Sequence, residues 1–173
     1  VTGAGEGDAL RAYEGAGRRP VHVGDWIAPP PDASTPVSFS DGSEVTLAAG
    51  SGARLVALEA RGANLSLEHG RARVAVVHRR DTTWRLDVGP YEVRVTGTRF
   101  DVAWEPETQR FHLEIDEGSV IVRGPLLDGG RAVAAGEAVE ARLADRRLVI
   151  AAADEIRARS AALAAPAAPA PAD

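Results

Sequence analysis

The sequence has no cysteine, no methionine and no lysine. Without cysteine there can be no disulfide, no thiolate zinc site and no cysteine nucleophile. A domain of this size can fold without such staples, so the absence does not place the compartment. Because even position 1 is not methionine, a further N-terminal segment is expected in the gene product, and any signal peptide or membrane helix would lie there. Long apolar runs are also missing. No stretch approaches the roughly 18 apolar residues that span a bilayer, so a membrane is expected to be met only through segments absent from this chain. All 20 basic side chains are arginine, which reads as GC-rich coding rather than chemistry. The net charge is −5 and the isoelectric point about 5.4. Nucleic-acid binders show the opposite, a basic balance or stripe. Arg79-Arg80 is answered by Asp81 and Arg146-Arg147 by Asp145. Both read as solvated turns, and no nucleic-acid partner is expected.

What is present is enough apolar material for a core: 45% of 173 residues. Residues 1–36 read as a lead-in segment, rich in Gly and Arg at first, with a short helix expected around Asp8 to Glu14. The prolines of "VHVGDWIAPPPDASTP" exclude a central strand there. From 37 to 150 the texture is short alternating runs between turn residues, the pattern of an all-β domain. Four parity switches read as hairpins. Trp84, Leu86 and Val88 lead through Gly89-Pro90 to Tyr91, Val93 and Val95. Phe111, Leu113 and Ile115 lead to Val120 and Val122. Val139, Ala141 and Leu143 lead to Leu148 and Ile150, and Leu65 and Leu67 lead to Val74 and Val76. Gly42, Gly70, Gly89, Gly118 and Gly136 alternate long and short spacings, which suggests a repeating unit of about two hairpins. The expected fold is therefore solenoid-like or stacked hairpin sheets, with a jelly roll or sandwich as the alternative. Residues 151–165 read as a short helix with Asp154 as N-cap, and 166–173 as an Ala/Pro-rich linker.

One stretch breaks phase. In "YEVRVTGTRFDVAW" the apolar residues Tyr91, Val93 and Val95 are odd, while Phe100, Val102 and Trp104 are even. A change of phase by one residue requires a bulge or corner, predicted at residues 96–99. Gly97 supplies the backbone freedom, and its replacement by valine is expected to cost on the order of 1–3 kcal/mol if its φ is positive.

The chemistry-bearing residues point away from catalysis. His22 and Asp25 could face one side of a turn, but no nucleophile accompanies them. His69, His78 and His112 lack the i,i+2 or i,i+4 spacing of a ligand pair, so no metal is expected. Glu114 and Asp116 share a strand face beside Glu117, and paired carboxylates could serve glycoside hydrolysis or calcium. Leu113 and Ile115 on the opposite parity instead make them a wet outer face. "GAGEG" at 3–7 has no preceding strand to make it a phosphate cradle. Trp84 and Trp104 lie in core phase, while Trp26, beside the prolines, reads as a surface anchor. No catalytic, cofactor or metal residue is expected.

"DGSEVTL" (41–47), "LEHGRARVAVVHRRDTTWRLDVGPYEVRVTGTRFDV" (67–102), "EGSVIV" (117–122) and "AAGEAVEA" (134–141) together resemble the FecR-type periplasmic domain, with "GTRFDV" the most distinctive piece. The resemblance covers about residues 37–145. It implies an all-β, solenoid-like domain in the periplasm, carried by a protein anchored in the inner membrane. It further implies anti-sigma-type transmembrane signalling through a protein partner in the cell envelope, an outer-membrane TonB-dependent receptor being the family's example. The regulators of that family usually carry a small βα module after the domain. Residues 151–173 do not match it, and the chain looks more like FecR domains joined to other C-terminal parts. The alternative expectation is a carbohydrate- or cell-wall-binding β module, which would need exposed aromatics.

Overall fold

The computed structural model describes residues 9–164. The chain forms β1 (Ala12–Glu14), β2 (Arg19–Val21), β3 (Trp26–Ile27), β4 (Thr35–Phe39), β5 (Glu44–Leu47), β6 (Gly52–Glu59), β7 (Gly62–Ala75), β8 (Trp84–Val88) and β9 (Tyr91–Val95). It continues through β10 (Arg99–Glu105), β11 (Arg110–Glu117), β12 (Ser119–Gly124), β13 (Leu127–Ala134), β14 (Glu137–Arg142) and β15 (Arg147–Ala152) to the helix α1 (Ala153–Ala164). The fold is all-β with one short C-terminal helix, as the alternation predicts. "GAGEG" and the Ala/Pro-rich linker lie outside the described residues. No helix among the described residues is long and apolar enough to cross a membrane.

The strands make one open hydrogen-bonded network folded over itself into two layers. The first layer runs β3-β6-β7-β8-β9-β12-β13. The second runs β2-β1-β4-β5-β7-β10-β11-β14-β15. The 14-residue β7 belongs to both: Gly62 to His69 pair in the first layer and Gly70 to Ala75 in the second. All pairings are antiparallel except β7–β8. Hairpins are then added alternately, β8–β9 to the first layer, β10–β11 to the second, β12–β13 to the first and β14–β15 to the second. This is a stacked-hairpin architecture with a repeat of two hairpins, the unit that the glycine spacing suggested.

The phase break at Gly97 is a corner between layers. β9 pairs in the first layer and β10 in the second, and a register shift follows at Arg99/Phe100. Gly97 has φ +123°, and a Cβ there would lie 2.6 Å from His78 Cβ and 2.7 Å from His78 Cα. The next corner stacks on it: a Cβ on Gly118 (φ +78°) would lie 2.5 Å from the Gly97 carbonyl oxygen. Thr98 is pinned at this corner. Its N–H donates to Val76 O at 3.2 Å, and its hydroxyl donates to Ser119 O at 2.8 Å.

Four sequence readings are corrected. Leu65 to Val76 is no hairpin: Leu65, Leu67 and Val74 lie on the single strand β7, bent at Gly70, and Val76 follows just past its end. Phe111 to Val122 is no hairpin either: β11 and β12 lie in different layers and meet only through the Gly118 corner. Around Glu14 the chain is the strand β1 and not a helix, because its backbone pairs with both β2 and β4 and Ala12 is buried between them. The helix begins at Ala153, so Asp154 is in its first turn and not the cap. There its charge still suits the helix dipole, and it pairs with Arg157 at 3.1 Å.

Aromatic pairs across the interior fasten the two layers. Tyr91 of the first layer stacks on Phe111 of the second with centroids 4.2 Å apart, and Phe39 meets Trp84 edge-on at 4.7 Å. Val37, Leu55, Val88, Val93, Phe100, Val102, Phe111 and Leu113 are wholly buried in the same core.

Candidate functional site

The outer face of the second layer carries the densest polar arrangement. Alternation along β7, β10, β11 and β14 turns the residues between the core positions outward, and register aligns them in rows. Arg73, Asp101 and Glu114 form one row; Arg71, Ala103, His112 and Glu140 form the next. Arg73 donates to Asp101 and Asp116, each at 2.8 Å. Arg110 donates to Glu140 at 3.0 Å.

α1 lies across one side of this face. Ala153 and Ile156 plug into Ala138, Val149 and Ala151, an apolar cluster of three alanines and two larger residues in all. One turn further on, Arg157 hydrogen-bonds Glu114, and Ser160 lies 3.4 Å from both Glu140 and Arg110. Between helix and sheet is a cleft of about 380 Å³ lined by Arg71, Asp101, Arg110, His112, Glu114 and Arg157, among others.

The expected wet face of Glu114 and Asp116 is therefore only half wet. Asp116 is exposed, but the Glu114 side chain retains 14% of its exposure because the helix covers it. The two carboxylates are engaged by different arginines, Glu114 by Arg157 and Asp116 by Arg73. Burial raises the Asp101 carboxyl above the usual range, against the pull of Arg73. Burial likewise lowers the His112 imidazole below its usual range, opposed by Glu140 and Glu114. His112 Nε2 is 3.9 Å from Glu114, and its Nδ1 is buried without a partner.

The lowered His112 value has a stability consequence. About one unit or more above pH 6.5 the ring is almost wholly neutral in both folded and unfolded chains. As pH falls below that, the unfolded chain takes up a proton that the folded one resists, so stability declines, by at most about 1.4 kcal/mol per pH unit. Asp101 acts in the opposite sense, since the folded carboxyl is protonated first and acid relieves its burial. His112→Asn should flatten the fall in urea-unfolding stability between pH 7.5 and 5.5. An unchanged slope would mean that another group carries it.

The other residues weighed from sequence are scattered. His22 and Asp25 do share a turn, the His22 N–H donating to Asp25 at 2.9 Å, but both are exposed and nothing joins them. His69 packs beside Trp26, and His78 Nδ1 lies 2.7 Å from Thr96 O at the Gly97 corner. Among the described residues, no three His, Asp or Glu side chains are grouped to hold a metal. Trp84 and Trp104 are core residues, and Trp26 is 40% exposed with Arg54 over its ring at 5.5 Å. What the sequence did not reveal is the helix's grip on the sheet. Arg157 and Ser160, three apart, share a face beside Ile156, but their partners on the sheet lie 20 to 50 positions away.

The two layers end in four edge strands, β3 and β13 in the first and β2 and β15 in the second, each paired on one side only among the described residues. The profile of the FecR protein family matches residues 27–121, more than half of the chain. The chain belongs to the FecR family. Two crystal structures of a candidate anti-sigma factor from Parabacteroides distasonis ATCC 8503 share the fold of this FecR chain. Each has a TM-score of 0.67 and 19% identity, and they cover 78% and 79% of it. The chain spans 63% and 64% of those two chains, less than two thirds of their length. No curated protein matches it significantly.

Proposed function

We propose that this FecR chain is the docking part of a membrane-anchored signalling regulator of anti-sigma type. In this reading it acts in the periplasm, without catalysis, by contact with a protein partner of the cell envelope. Family membership and the fold shared with a candidate anti-sigma factor support the signalling role. The observation that carries the docking role is the edge strand β15. It is six residues long, with no proline or glycine and no charge between Leu148 and Ala152, and its outer edge is unpaired. A regular apolar edge is a template for strand addition, which needs no special side chains. The other edges are less open: β2 is three residues long and contains Pro20, β3 has two residues, and β13 carries Asp128, Arg131 and two glycines at positive φ, Gly129 and Gly130. The carboxylates beneath α1 are each engaged by an arginine, Glu114 by Arg157, Glu140 by Arg110, and Asp101 and Asp116 by Arg73, which suits a structural clasp better than a reaction.

The test is recovery of partners from an envelope fraction on the immobilised chain, followed by hydrogen exchange of the recovered complex. The expected result is a TonB-dependent receptor or another envelope protein whose binding protects the β15 amides and leaves β13 unchanged. Recovery of peptidoglycan or glycan alone would overturn the reading. The three tryptophans already weigh against a sugar platform, since two of them are in the core.

A further inference from the structure

The outer face of the first layer holds a groove of about 460 Å³ that the β15 edge and the cleft under α1 leave unused. Its floor is one cross-strand row. Ala57 pairs with Asn64, Asn64 with Arg85, Arg85 with Arg94, and Arg94 with Ile121, from β6 through β12. Glu59 and Thr83, hydrogen-bonded to each other at 3.1 Å, form one end wall.

Two features of that row are unsatisfied by the protein itself. Asn64 is 94% buried, and its Oδ1 has no hydrogen-bond donor. A buried acceptor left unmade costs about 1–3 kcal/mol, so the fold carries a polar group in this row at a cost to its own stability. Arg85 and Arg94 stand directly opposite each other on neighbouring strands, where like charges repel. A single carboxylate, Glu92 in the adjacent row, serves both, at 2.9 Å from Arg94 but only 3.8 Å from Arg85. Both guanidinium side chains remain about half exposed. The row ends on Ile121, an apolar side chain 44% exposed.

We infer that this groove binds an extended peptide segment bearing an acidic side chain. Its carboxylate bridges Arg85 and Arg94, its backbone runs along the row over Asn64, and an apolar side chain covers Ile121. Arginine forks suit carboxylates, and an added anion relieves the repulsion between the pair. Four strand-to-strand steps of about 4.8 Å make the row roughly 19 Å long, the reach of about six extended residues. A glycan fits less well, because Trp84 is the only aromatic residue in the lining and its ring is buried in the core. The inference stands independently of the signalling role.

The test is a titration of the nitrogen-15-labelled chain, followed by NMR. The probes are acetylated, amidated hexapeptide pools with one position fixed as Glu and the others random, and matched pools fixed as Gln. The expected result is movement of the Asn64, Arg85, Arg94 and Ile121 amide signals, with binding at least tenfold weaker for the Gln pools. Arg94→Gln, at an exposed position, should remove the Glu preference without changing the fold. The inference is overturned by an unperturbed row with every pool, by equal affinity for Glu and Gln, or by undiminished preference in Arg94→Gln. It is equally overturned if an N-acetylglucosamine–N-acetylmuramic acid disaccharide moves these signals and the peptides do not.

Discussion

Gly97→Val is expected to lower the unfolding free energy by roughly 2–6 kcal/mol, the sum of two separate costs. One is backbone strain: at φ +123° a β-branched residue is in a region that L side chains avoid. The other is overlap, because the new Cβ would sit 2.6–2.7 Å from His78, including its Cα, which cannot swing aside as a side-chain tip can. Gly136→Val isolates the first cost. Its φ is +86°, but a Cβ there meets nothing within 4 Å, so roughly 1–3 kcal/mol is expected. Urea denaturation of the two variants beside the parent chain measures the difference. Equal losses would show that His78 yields, and that the Gly97 corner is held by backbone conformation alone. A loss at Gly97 of under 1 kcal/mol would remove the corner itself from the account.

The same corner shows what sequence can and cannot reveal. Val95 and Phe100 change parity across Gly97, and that is local, so a bend was readable. Leu67 to Val74 and Ile115 to Val120 change parity in the same way, yet the first is a bend inside β7 and the second a passage between layers. Whether two runs pair or part depends on which strand each finds as a neighbour, and that is decided by residues 20 or more positions away. Position 118 must be glycine because a Cβ there would lie 2.5 Å from the Gly97 carbonyl oxygen. The polar surfaces follow the same division. Alternation placed Glu114 and Asp116 on an outer face, but it could not foresee Arg157, 43 positions on, closing over one of them. Nor could it set Arg85 against both Asn64 and Arg94, a row that exists because β7 and β8 pair in parallel.

Phe111→Ala tests whether the two layers act as one body, and its expected cost is about 3–5 kcal/mol. Phe111 is wholly buried and stacks on Tyr91 across the interior, so truncation opens a cavity bounded by both layers. Neither side can readily collapse into it. Tyr91 is itself held by its hydroxyl, which donates to Pro125 O at 3.0 Å, and by Gly124, where a Cβ would lie 2.5 Å from its ring. Phe111→Leu keeps most of the volume and loses the ring pairing, so a smaller cost, about 1–2 kcal/mol, is expected. A domain stabilised by 5–15 kcal/mol would survive the second change and be marginal after the first. Urea unfolding followed by tryptophan fluorescence suits the comparison, since Trp84 is in the first layer and Trp104 in the second. One transition with unchanged slope is expected in both variants. A split transition, or a loss below about 1.5 kcal/mol for alanine, would mean that the layers are stabilised separately and that the aromatic stack between them adds little.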